Sequence, residues 1–147
     1  MRFHPPIAAV AALALVACAT AAFAHGYKKN GLEVIHPWMM ETGGPNGAVS
    51  MTIKNTGKAA DRLVGVSTQL AETAKLETAG QATGETAIAA IEIPAGGEAE
   101  LSGTGTHVLL AGLKKKLGPY DRLPLVLVFE KAGQLAIEVM VEEKEQP

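Results

Sequence analysis

The amino-acid sequence predicts an all-β domain of sandwich or barrel type, and three observations carry that prediction. From residue 31 onward, short apolar runs follow one another, separated by clusters of Gly, Pro and Asn at intervals of roughly 8–12 residues. Two of the runs alternate with a period of two, one face apolar and the other mixed: Val49, Met51 and Ile53 against Ser50, Thr52 and Lys54, and Leu135, Ile137, Val139 and Val141 against Ala136, Glu138, Met140 and Glu142. A third run, residues 123–129, is almost wholly apolar, as expected of a strand buried on both faces.

Taken in order, residues 32–36 read as a first strand that Pro37 stops, because proline cannot donate to a ladder. Gly43-Gly44-Pro45-Asn46-Gly47 is a loop, residues 48–54 are a second strand, and Asn55-Thr56-Gly57 turns the chain into a third over 62–67. The pattern is weakest over 69–77, which fits a helical turn or a ragged strand, and the small, polar, Gly-containing stretch 78–86 reads as loop. A strand returns over 87–93, and Pro94-Ala95-Gly96-Gly97 turns it. Residues 98–101 and 106–113 are two strands split by Ser102-Gly103-Thr104-Gly105. A loop with Gly118-Pro119 leads to the strand at 123–129, and Ala132-Gly133 turns into the last strand, 134–142. This gives about eight strands in one domain spanning residues 25–147, with a charged, solvated tail.

The first 24 residues read as a leader rather than as fold. Arg2 gives a positive start, residues 7–17 are an apolar run too short to span a bilayer, and Ala22-Phe23-Ala24 places small residues where a signal peptidase reads them. Cleavage after Ala24 would release the domain into the periplasm. Leu15-Val16-Ala17-Cys18 offers a second processing pattern, that of a bacterial lipoprotein, in which acylated Cys18 would tether the same domain to a membrane. Cys18 is the sole cysteine of the 147 residues, so the domain has neither a disulfide framework nor a thiolate metal site. The 13 Lys and Arg against 15 Asp and Glu give a net charge of −2, and loss of Arg2 makes the remainder more acidic still. That balance speaks against nucleic-acid binding, which leaves a basic footprint. No second long apolar segment would span a membrane.

Six stretches, in order and over nearly all of the domain, resemble the PCu(A)C-type periplasmic copper chaperones. They are His36-Pro37-Trp38, Gly47-Ala48-Val49-Ser50-Met51-Thr52-Ile53, Ala60-Asp61-Arg62-Leu63-Val64-Gly65-Val66, Ile93-Pro94-Ala95-Gly96-Gly97, His107-Val108-Leu109-Leu110-Ala111-Gly112-Leu113-Lys114, and the segment from Leu123-Pro124-Leu125 to Lys131-Ala132-Gly133. The resemblance implies a cupredoxin-like Greek-key β-sandwich, Cu(I) as the metal, delivery to the CuA centre of cytochrome oxidase, and oxidase assembly factors as partners. It also implies a Cu(I) site made of a His before the central loop, a Met on the following strand, and a later His-x-Met pair. Imidazole and thioether suit a soft ion. In this sequence the motif is degenerate. His107 matches the second His, Leu109 stands at its partner position, residues 74–78 hold no His, and no Met occurs between Met51 and Met140.

The remaining candidates are few. His107 is either a remnant ligand or a hydrogen-bonded structural residue. His25 would become a chelating amino terminus if cleavage followed Ala24, and is otherwise an incidental residue at a frayed end. His36 is followed by Met39 and Met40, but consecutive strand residues face opposite ways, so the two thioethers could not share an ion without a bulge. Lys114-Lys115-Lys116 reads as a solvated turn. No nucleophile elbow, His-Glu-x-x-His helix or paired acid–base constellation points to an enzyme. Two functions follow: a copper chaperone using His107 or His25, or a metal-free interaction module that has kept the fold.

Overall fold

The computed structural model describes residues 26–80 and 84–144. The expected leader, Cys18 and His25 lie outside the described residues. Within them the chain forms eleven strands and no helix: β1 (Gly26–Lys29), β2 (Leu32–Met40), β3 (Gly47–Asn55), β4 (Asp61–Ser67), β5 (Ala71–Gly80), β6 (Gly84–Ala87), β7 (Ile91–Ile93), β8 (Glu98–Leu101), β9 (Thr106–Leu113), β10 (Arg122–Phe129) and β11 (Gly133–Glu142). The all-β expectation holds, and no helix long and apolar enough to cross a membrane is found among the described residues.

Three local readings change. Pro37 does not stop β2. The ladder to β3 shifts register between Ile35 and Trp38, and His36 takes φ 47°, so the strand bulges there. At a bulge no ladder donor is required, which is how a proline stays within a strand. Residues 69–77 are neither helical nor ragged, and 78–86 are not simply loop. Small polar β5 is held extended by β9 along its length and folds back onto β6. Tertiary pairing overrides its weak intrinsic preference. The strand expected over 87–93 is instead the end of β6 and the separate β7. The unexpected β1 pairs with β2 through Asn30-Gly31, whose φ values of 46° and 84° are those of a type I′ hairpin turn.

The strands form one sheet in the order β6-β5-β9-β3-β2-β11-β10-β4-β7, with β1 added to β2 and β8 to β3. All pairs are antiparallel except β2 with β11, where Trp38 faces Met140 and Glu142 faces Met40. The sheet curls on itself. Asn55, at the end of β3, donates its backbone N–H to Gly97 and its side-chain amide to the Ile93 carbonyl at 3.2 Å, binding the far edge strand β7 back to the middle of the path. Buried Asp61 makes a second tie: its carboxylate accepts the backbone N–H groups of Arg62 (2.8 Å), Lys131 (2.9 Å) and Ala132 (2.9 Å), pinning β4 to the β10–β11 turn.

Inside the curl the alternating residues meet. Val34, Met39, Val49, Ile53, Val108, Leu110, Leu125, Leu127, Phe129, Ile137, Val139 and Val141 are among the buried apolar side chains. Each large one contributes about 1.5–3 kcal/mol relative to exposure. On β2 the inward positions run Leu32, Val34, then Pro37, Met39. The bulge has switched the inward set from even to odd numbers, which leaves Ile35 and His36 both on the outer side. Outward residues of β2 and β11 carry His36, Met40, Met140 and Glu142, whereas His107 on β9 is buried.

Candidate functional site

The segments that the resemblance assigns to copper come together in one row across the sheet. On β9, His107 lies directly opposite Glu77 of β5, and Glu77 opposite Ala87 of β6; one step along, Leu109 faces Lys75. So the fold brings the first-His and first-Met segments beside His107. The side chain it places next to the imidazole is a carboxylate.

His107 has no solvent-exposed surface, and Glu77 is also buried. The turn between β8 and β9 closes on itself through Ser102 N–H to the Thr106 carbonyl (2.8 Å) and Gly105 N–H to the Ser102 carbonyl (3.0 Å). The His107 Nδ1–H donates to the Gly105 carbonyl at 2.9 Å, which puts a proton on Nδ1 because a carbonyl can only accept. Lys75, half exposed, reaches in with Nζ 3.2 Å from Glu77 Oε1. Beside the pair, Thr78 and Thr106 share a hydroxyl hydrogen bond of 3.1 Å. A buried imidazole, held by a backbone carbonyl, and a buried carboxylate, met by a lysine, stand opposite each other across the β5–β9 pairing and make it a sealed polar pair. Carboxylate oxygen is a hard donor and a poor match for Cu(I). The sequence signal for Glu77 was its place inside the segment searched for a histidine; its pairing with His107 depends on a register that periodicity alone does not give.

The His36 region is arranged differently. His36 is exposed, and its Nε2 lies 2.7 Å from Glu142 Oε1 at the end of β11. Its ring centroid is 6.2 Å from that of Trp38. Met39 points into the core with no exposure, whereas Met40 is 45 % exposed. The two thioethers therefore face opposite ways, as period-two geometry requires, and the bulge before them does not bring them together. Trp38 and Met40 line a common groove with Ser50 and the Ser102–Thr104 turn. The Lys114-Lys115-Lys116 run is exposed between β9 and β10, with Lys116 and Lys144 beside Met40 in a neighbouring groove. Among the described residues, no group of three or more His, Cys, Asp and Glu side chains gathers as a metal cage.

Comparison with known proteins places this geometry. Residues 32–141 match the family model described as LpqE-like, a lipoprotein family. Lxx21020 of Leifsonia xyli subsp. xyli, whose name also classes it with lipoproteins, is 29% identical over 122 residues, covering 80% of this chain and 74% of its own. Among solved structures, the apo PCuAC domain of PmoF1 superposes with a TM-score of 0.73 at 29% identity, over 82% of this chain and 100% of that domain. The copper-bound PCuAC domain of PmoF2 gives 0.71 at 27% identity, over 82% and 99%. The Cu(I) form of DR1885 from Deinococcus radiodurans gives 0.61 at 26%, over 84% and 85%. The fold is thus the cupredoxin-like sandwich of PCuAC domains.

Proposed function

Because this chain belongs to the LpqE-like family, a copper-chaperone-like and non-catalytic branch of the PCuAC type, we propose that it is an exported domain that carries copper outside the cytoplasm, without using the His-x-Met position for the metal. The observation that carries the reading is the likeness, over 82% of the chain, to a PCuAC domain holding copper. The burial of His107 against Glu77 supports the second clause. A ligand that must hand copper to a partner needs access, and this one has none. Delivery toward the CuA centre of cytochrome oxidase, with oxidase assembly factors as partners, is the role the family resemblance favours. The lipoprotein names of the family and of its Leifsonia relative favour tethering through Cys18 over soluble release after Ala24. If cleavage follows Ala24, the amine and ring of His25 add a further copper donor set. A second reading, a metal-free interaction module, is favoured by the same sealed polar pair, which occupies the His-x-Met position without needing a metal.

A Cu(I) competition titration of the purified protein against a chromogenic chelator, under reducing conditions, tests these readings. Wild type, His107→Asn and His25→Ala are compared, with far-UV circular dichroism as the check on folding. One Cu(I) bound by wild type and retained by His107→Asn is the expected result. Loss in a folded His107→Asn would restore that imidazole as a ligand. No competition from wild type would leave the metal-free module.

A further inference from the structure

Resting on the copper reading, we propose that a soft monovalent metal binds on the outer face of β2 and β11, at His36, Met40 and Met140 over the Trp38 ring, with Glu142 holding the imidazole.

The parallel register makes Trp38, Met40, Met140 and Glu142 neighbours across the β2–β11 pairing, and His36 touches both Trp38 and Glu142. In the parallel β2–β11 pairing, Met140 is the direct neighbour of Trp38, and Glu142 the direct neighbour of Met40. Neighbouring strands lie about 4.8 Å apart and alternate residues about 6.6 Å apart along a strand. Two thioethers set diagonally around one indole are thus within the span of long unbranched side chains. Trp38 and Met40 line one groove, which shows that they share a face. Met140 is half-buried on the outward side of β11, between inward Val139 and Val141. Without the bulge, His36 would point into the core. Its left-handed φ of 47° re-aims it outward, beside Trp38. A non-glycine residue held in that region carries local strain, of a kind that collects at functional positions.

The Glu142 contact selects the nitrogen. A neutral imidazole that donates Nε2–H to a carboxylate carries its lone pair on Nδ1. Histidines that bind metal are commonly oriented by a carboxylate on the other ring nitrogen. One imidazole nitrogen and two thioethers form a soft set suited to Cu(I) or Ag(I). An indole face adds attraction for a cation within about 6 Å of its centroid. The site is open to solvent, so a partner could take the metal directly.

Trp38 is the single tryptophan of the chain, and it gives the test its readout. Ag(I), and Cu(I) under reductant, are titrated into the purified protein while tryptophan fluorescence and chelator competition are followed together. Wild type is expected to bind one ion with a saturating change in Trp38 emission. His36→Ala and Met140→Leu should each weaken binding about tenfold or more, and Glu142→Gln about tenfold. Met40→Leu, at an exposed position where unfolding is not a concern, should also weaken it. His107→Asn should leave it unchanged. One-to-one Cu(I) binding of unaltered affinity in His36→Ala and Met140→Leu, or binding with no change in Trp38 emission, would overturn this site and leave the copper reading in place. The absence of Cu(I) binding by wild type would overturn both.

Discussion

Replacing Asp61 should cost more stability than its single position suggests. Its carboxylate accepts three backbone N–H groups, from Arg62, Lys131 and Ala132, and the bond to Ala132 is fully buried. In Asp61→Ala the Ala132 amide is left without a partner and without water, which costs about 1–3 kcal/mol. The other two amides are partly buried and can turn to solvent, adding about 0.5–1 kcal/mol each. The total, about 2–5 kcal/mol, is a large share of a domain's stability. With a urea m-value of about 2 kcal/mol/M, the midpoint should fall by about 1–2.5 M with m unchanged. Asp61→Asn should lose roughly half as much, because its carboxamide oxygen can still accept while its NH2 meets a donor.

The pH dependence gives an independent check. Burial pushes the Asp61 carboxyl up, but the three backbone amides and the Lys131 charge outweigh it and hold the group below its ordinary value. A carboxyl depressed in the folded state contributes stability that is present above its unfolded value, about 3.9, and is lost as pH falls through the folded one. Wild type and Asp61→Asn should therefore differ most above about pH 4 and converge on acidification. Glu130 is likewise held low by its hydrogen bond to Arg62, but it is exposed and the Asp61 charge is the smallest influence on it, so it nearly cancels in the difference. Stability curves that stay parallel down to acid pH, or an Asp61→Ala protein within about 0.5 kcal/mol of wild type, a shift typical of neutral surface sites, would refute this account.

Two further outcomes follow. Glu77→Ala should strip the His107 imidazole and Lys75 of their carboxylate neighbour and destabilise the β5–β9 pairing by about 1–3 kcal/mol; amide hydrogen exchange should then rise in residues 71–80 and 106–113 while the β10–β11 hairpin stays protected. Gly133, at φ 82° in that hairpin's turn, should lose about 1 kcal/mol as Gly133→Ala, seen as a lowered thermal midpoint with an unaltered spectrum.

How much of this was legible in the sequence differs from element to element. Residues 123–129 and 134–142 were readable because an apolar run and a strict alternation are set by burial alone. The hairpin at Asn30-Gly31 carried the strongest short-range turn signal, but the strand before it, Gly26–Lys29, has no alternating apolar face to announce it. β5 and β6 were obscured because their Ala, Thr and Gly residues hold extended conformation through pairing, β5 with the distant β9 and β6 with β5. The bulge at Ile35–His36 was masked by Pro37, which looks the same in sequence whether it ends a strand or sits in a bulge. At the site, His107 could be located from the resemblance, but its burial and its pairing with Glu77 needed the register. Met140 and Glu142 were read as ordinary outward positions; a parallel pairing with the distant strand β2 is what sets them beside His36 and Trp38.

That parallel pairing also governs when the molecule can assemble. β11 lies between β2 and β10 in the path, so the first and last long strands are joined at the middle of the sheet. Bringing Trp38 to Met140 closes a loop of roughly 100 residues, at an entropic cost on the order of 4 kcal/mol. No contact between the two halves through this seam forms until the final strand is available. The chain emerges N-terminus first, so this seam stays unjoined until β11 follows the ten strands before it. A truncation that removes β11 therefore does not trim the domain; it separates β2 from β10 and leaves two unfinished edges, each a template for association with another chain.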